Sequence, residues 1–110
     1  MAQISYLPIS PDAGFPQRFG CRVGGVLLDF TIRHNYEGDF YTATVRDQGG
    51  DVIVYNKPFV YGADLLDSVS DPRLPDVQIV TADMAGIRTR AGQAEFMRDV
   101  FPWLIEPVIA

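Results

Sequence analysis

Three residue types that build most catalytic and metal sites are nearly absent from this 110-residue chain, which has one cysteine (Cys21), one histidine (His34) and one lysine (Lys57). A single cysteine excludes an intrachain disulfide and a multi-cysteine metal site. A single histidine excludes a histidine-rich zinc centre. Cys21 reads as a buried small hydrophobe, because a catalytic thiol needs a base beside it and only His34 could serve. No run of 18 apolar residues is present, and the opening MAQISYLPIS has neither the basic nor the apolar region of an export signal. The chain is therefore expected to act in the compartment where it is made. A clustered basic face is missing too. The eight arginines are scattered, the net charge is −5 and the pI is near 4.6, which argues against nucleic acid or an anionic membrane as a partner.

What is there is the composition of a folded domain: 47% hydrophobic, 21% charged and 12% aromatic residues. At roughly 100–200 residues per domain, residues 1–110 make one β-rich domain, with no repeat, linker or low-complexity tract. Glycine and proline punctuate short segments rich in Val, Ile, Phe, Tyr and Thr, residues that suit a pleated, half-buried surface.

The clearest strand runs from Val26 to His34, where Val26, Leu28, Phe30 and Ile32 alternate with Leu27, Asp29, Thr31 and Arg33. Residues 15–23 can pair with it through Gly24-Gly25, a dipeptide that tolerates the positive φ of a tight hairpin. His34–Asp39 reads as a longer hairpin loop into a strand from Phe40 to Val45. A turn at Asp47–Asp51 leads to a strand over Val52–Tyr55. These connections make an antiparallel meander. Pro58 interrupts it, leaving Phe59–Tyr61 as an edge segment or a new strand past a bend. Gly62–Val69 is expected to be a loop with one helical turn, 70–76 irregular, and Val77–Ala82 a strand. Gly92–Val100, with Ala94, Phe96, Met97 and Val100 at near-helical spacing, predicts one short C-terminal helix ended by Pro102. Trp103-Leu104-Ile105 can return to the sheet. The fold class is mainly β, a small antiparallel sandwich or barrel-like meander with that one helix.

None of the spacings that mark hydrolases, zinc proteases, phosphate loops or EF-hands occurs. Asp64, Asp67, Asp71, Asp76 and Asp83 fall close together, but aspartates around prolines and turns ordinarily satisfy local backbone donors, and this reading is preferred to a cation site. Glu37 and Asp39 read as a solvated loop tip rather than an acid–base pair. His34 shares the parity of Phe30 and Ile32 and reads as a hydrogen-bonded histidine at the rim of the core. No catalytic, cofactor or metal residue is assigned, and the chain is read as a non-enzyme. The candidates for contact with a partner are Tyr36, Tyr55, Tyr61 and Trp103 among the aromatics and Arg88 and Arg90 among the arginines, types enriched at interfaces.

The order of these features resembles the baseplate plug family of contractile-tailed bacteriophages, described for a cyanophage. The resemblance rests on the hairpin into Val26-Leu28-Phe30-Ile32, then Asn35-Tyr36, Phe40-Tyr41, Asp47 with Gly49-Gly50, Val52-Ile53, the segment Val60-x-Gly62-Ala63-Asp64-Leu65-Leu66, and a strand from Val77 ending at Asp83. It spans roughly residues 15–83. It implies a structural virion protein that closes the tail-tube channel at the hub and spike end and is displaced on contraction. The implied partners are the hub, tube and spike proteins, with a homo-oligomer in the tail axis as an option and no cofactor, nucleic acid or membrane. The implied location is the virion baseplate, after assembly in the host cytoplasm. The alternative is a small β-sandwich module that binds a ligand such as a glycan, with Tyr36, Tyr41, Tyr55 and Tyr61 on one solvent-facing patch.

Overall fold

The computed structural model describes residues 4–10, 12–67, 69, 71–75, 77–83, 92, 95–98 and 100–105. They form seven strands: β1 (Ile4–Tyr6), β2 (Gln17–Val23), β3 (Val26–Asn35), β4 (Phe40–Arg46), β5 (Val52–Pro58), β6 (Gln78–Ala82) and β7 (Phe101–Ile105). One sheet is the meander β2-β3-β4-β5, and the other has the order β1-β7-β6, all pairs antiparallel.

The meander follows from its turns. Gly24 and Gly25 take φ of 58° and 83°, and Val23 pairs with Val26 across them. The alternation in β3 then sets the faces: Leu28, Phe30 and Ile32 are buried, whereas Leu27 and Arg33 are exposed. The second turn is closed by Asp47, whose Oδ1 accepts the N–H groups of Gly49 at 2.9 Å and Asp51 at 3.0 Å. β5 is longer than expected and includes Pro58, which the ladder tolerates because β5 lies at the sheet edge. It also bulges opposite Thr44, with Asn56 at φ 48°.

One apolar core joins the two sheets. Leu28, Phe30, Ile32, Ala43, Val45 and Val54 of the meander belong to the same buried cluster as Ile79 of β6 and Leu104 of β7. Phe96 stands between sheet and loop, stacked on Tyr41 at 4.5 Å and tilted against Phe59 at 5.1 Å.

The expected C-terminal helix does not form among the described residues of 92–100. Phe96 N–H does reach Gly92 O at 2.8 Å, one helical bond, but Met97 takes φ 62° and its N–H turns to Val100 O at 2.7 Å. A residue in the left-handed region ends a right-handed helix. The near-helical spacing of Phe96, Met97 and Val100 instead serves a tight loop that delivers Phe96 and Val100 to the core. β1, which the sequence reading left unassigned, pairs with β7 from Ile4↔Ile105 to Tyr6↔Trp103.

Candidate interaction surfaces

The segment Gly62–Leu66 runs along β6 and finishes the small sheet with irregular backbone. Gly62 N–H donates to Thr81 O at 2.6 Å and Leu65 N–H to Ile79 O at 2.8 Å, with single bridges at Tyr61↔Thr81 and Asp64↔Val80. Asp64 Oδ1 accepts two backbone donors, Leu66 N–H at 3.0 Å and Ile79 N–H at 2.9 Å. Leu65 and Leu66 are thereby turned into the core. The aspartate of this motif is a backbone clamp.

A second polar knot closes the loop around the prolines. Arg73 donates through Nη2 to Asp71 Oδ2 at 2.7 Å and through Nη1 to Asp47 Oδ2 at 2.8 Å. The Asp71 carboxyl, bonded by the Arg73 side chain and backbone N–H, is held down at about 2, and that of Asp47 is lowered by the same guanidinium. Of the aspartates grouped in the sequence, Asp64 serves backbone donors, Asp71 serves Arg73 and Asp83 accepts from the Tyr61 hydroxyl, while Asp76 lies outside the described residues.

His34 sits at the core rim, with Nε2 3.1 Å from Asp39 Oδ1 and its ring against Tyr41 and Tyr36. Asp39 of the hairpin loop is engaged there, and Glu37 is exposed. Burial pushes the Cys21 thiol up, away from the thiolate.

The sequence-nominated contact residues fall in different places. Tyr36 and Tyr55 are the most exposed large hydrophobics among the described residues, at 74% and 76%. Tyr36 projects from the β3–β4 loop and Tyr55 from the edge strand β5. Tyr61 is half-buried and its hydroxyl donates to Asp83, a bond that raises the phenol's pKa. Trp103 is half-buried on β7, with Nε1 donating to Ala82 O at 3.0 Å. Arg88 and Arg90 lie outside the described residues. Tyr41 is 4% exposed and belongs to the core, so the four tyrosines of the ligand-module alternative do not share one solvent-facing patch.

The pairing registers reveal two unlike outer faces. On the small sheet, Tyr6, Val80, Ala82, Phe101 and Trp103 point away from the core side chains Ile79, Thr81 and Leu104. Tyr6 packs on Phe101 at 4.7 Å and edge-on to Trp103 at 5.5 Å, and remains 45% exposed. On the meander, the outer face carries Arg18 and Arg22 from β2, Asp29, Thr31 and Arg33 from β3, and Thr42, Thr44 and Arg46 from β4. Four arginines stand there against one carboxylate, in a chain whose net charge is −5. Arg18 Nε bonds both oxygens of Asp29 at 2.9 Å, Arg22 Nη1 reaches only Gly25 O at 3.3 Å, and Arg33 has no ion pair among the described residues. Sequence reading missed both faces: the aromatic one is assembled by the pairing of β1 and β6 with β7, far apart in the chain, and the arginine one is spread over three successive hairpin strands. The visible signals were the period-two spacing of Arg18 and Arg22 and the aromatic pair Phe101 and Trp103.

Comparison with known proteins bears on what such a chain is for. No curated protein matches it and no solved structure does. A family model described as cyanophage baseplate Pam3 plug gp18 matches residues 4–107, from the first described strand to just past the last. Both sheets, the Asp64 clamp and the two outer faces lie within that match, and the chain belongs to this baseplate plug family.

Proposed function

We propose that the chain is a structural subunit of a phage tail baseplate that closes the tail-tube channel at the hub and spike end and is displaced when the sheath contracts. The observation that carries the reading is family membership over residues 4–107. The two outer faces support it. An apolar, aromatic face suits packing against a protein wall, and an arginine-rich face suits polar, reversible contacts. A plug must hold and then let go, which favours interfaces of modest size over an obligate hydrophobic one. The overall negative charge works in the same direction, because it repels the DNA that the channel holds back.

In this reading the subunit performs no catalysis. It is assembled with hub, tube and spike proteins in the host cytoplasm and resides in the virion, and copies of the chain can meet on the tail axis. The test is an affinity pull-down of the tagged chain from cells producing the phage, with mass spectrometry of the captured proteins. Recovery of hub, tube or spike proteins is expected. A chain recovered alone under assembly conditions overturns the proposal.

A further inference from the structure

Each sheet has two edges, and among the described residues three of the four are covered, short or irregular. β6 is covered by the Gly62–Leu66 segment through its bonds to Ile79 and Thr81. β1 is only three residues long. β5 carries a bulge, Asn56 in the left-handed region, and Pro58. These are the devices by which proteins keep sheet edges from pairing. β2 is neither covered by described residues, short, bulged nor interrupted by proline, and the only edge device that it carries is the charge of Arg18 and Arg22. It pairs with β3 over seven consecutive residues without a register shift, and among the described residues its other side meets no backbone partner, only the Cys21 thiol donating to Arg22 O at 3.7 Å.

The register fixes which groups face outward. Val23 and Val26 flank the two-residue turn and form its bonded pair, so bonded pairs recur at Cys21–Leu28, Phe19–Phe30 and Gln17–Ile32. The N–H and C=O groups of Arg18, Gly20 and Arg22 therefore point away from β3. Their side-chain positions form one row on the outer face, cation, gap, cation. Nothing among the described residues requires the gap: a Cβ on Gly20 would meet Leu27 Cδ1 at 3.7 Å and Leu28 O at 4.0 Å, both ordinary contacts. Glycine within a strand weakens it and often marks a place where a ligand or another backbone approaches closely.

We propose that the β2 edge accepts an added strand from a neighbouring baseplate protein, with carboxylates opposite Arg18 and Arg22 and a bulky side chain lying over Gly20. The half-buried Phe19 and Cys21 on the inner side call for apolar residues at the two intervening positions. Charge selects this partner over a second copy of the chain, because antiparallel self-pairing centred on Gly20 sets Arg18 opposite Arg22 twice. The added strand gains main-chain bonds along the edge and specificity from alternate side chains. The inference rests on the baseplate reading only for the source of the strand.

The test titrates the full chain, labelled with nitrogen-15, with a synthetic peptide of sequence TEVYVET, capped at both ends. Amide shifts confined to residues 17–23 are expected, with affinity that falls as salt rises. The charge-reversed peptide TKVYVKT is expected to bind at least about tenfold more weakly. Gly20→Pro removes only an outward N–H and leaves the bonds to β3 in place, so it is expected to fold and lose peptide binding. Equal binding of both peptides, shifts that map elsewhere, or no binding at millimolar peptide overturns the proposal. So do β2 shifts that follow protein concentration without peptide, because they identify a second copy as the occupant. None of these readouts uses the virion, so failure here stays distinct from failure of the pull-down.

Discussion

Asp64 holds Ile79 by its backbone, with Oδ1 accepting the Ile79 N–H at 2.9 Å while it also accepts Leu66 N–H at 3.0 Å. One carboxylate thus fixes the Gly62–Leu66 segment against β6 and directs Leu65 and Leu66 into the core. Removing it strands two backbone donors. Asp64→Ala is expected to cost about 2–3 kcal/mol, and Asp64→Asn less, since the amide oxygen can still accept. Urea unfolding of the two variants checks this, and equal midpoints for both would contradict the clamp.

The hairpin glycines predict unequal costs. Gly24 and Gly25 both have positive φ, but a Cβ on Gly24 would lie 2.7 Å from Pro75 Cβ and 2.8 Å from Val77 Cγ2, whereas one on Gly25 meets nothing within 4 Å. Gly25→Ala carries the left-handed cost of about 1–2 kcal/mol. Gly24→Ala adds an overlap and is expected to reach about 2–4 kcal/mol. Thermal melts of the pair should show Gly24→Ala melting lower.

Arg73 gives the acid dependence its sign. The Asp71 carboxyl titrates at about 2 rather than 3.8, chiefly because the Arg73 side chain and backbone N–H donate to it. A carboxyl lowered by folding contributes stability in full above its unfolded value and loses it as pH falls through the folded one, here from 3.8 to about 2. The pair is surface-exposed, so the effect is modest. Arg73→Gln is expected to be slightly less stable than the parent at pH 7 and to converge with it as the pH approaches 2. Urea midpoints across that window test this, and a gap that stays constant would contradict it.

Thr81 supplies a prediction of the opposite direction. Its side chain is 1% exposed and Oγ1 has no hydrogen-bond partner among the described residues. Burying an unpaired hydroxyl is unfavourable, so Thr81→Val is expected to stabilise by about 1 kcal/mol. A rise in the urea midpoint with unchanged slope confirms it. A loss of stability would show that the hydroxyl is satisfied.

The meander was legible because its signals are local. Period-two apolar residues in β3 and the turns at Gly24-Gly25 and Asp47–Asp51 fix strands and register over short separations. β6 and β7 were legible as β-branched or aromatic runs, but their pairing, and that of β1, joins residues up to a hundred positions apart and left no short-range mark. The expected helix is not found among the described residues of 92–100, because the spacing of Phe96, Met97 and Val100 also suits a compact turn that buries them, and Met97 takes a positive φ. Of the nominated contacts, Tyr36 and Tyr55 are exposed. Tyr61 and Trp103 are half-buried, and each has a hydrogen-bond partner at the end of β6 or just past it, Asp83 and Ala82 respectively. Solvent exposure of a tyrosine depends on which strand covers it, which is why Tyr41, alike in type, is core.

In the proposed function the domain sits in the tail channel and leaves it on contraction. Cryo-electron microscopy of virions of the encoding phage, imaged with sheaths extended and contracted, measures both. The account predicts density fitting the two-sheet domain across the channel at the hub end of extended tails, and an open channel without it after contraction. Density at the tail periphery, or a plug unchanged by contraction, would contradict it.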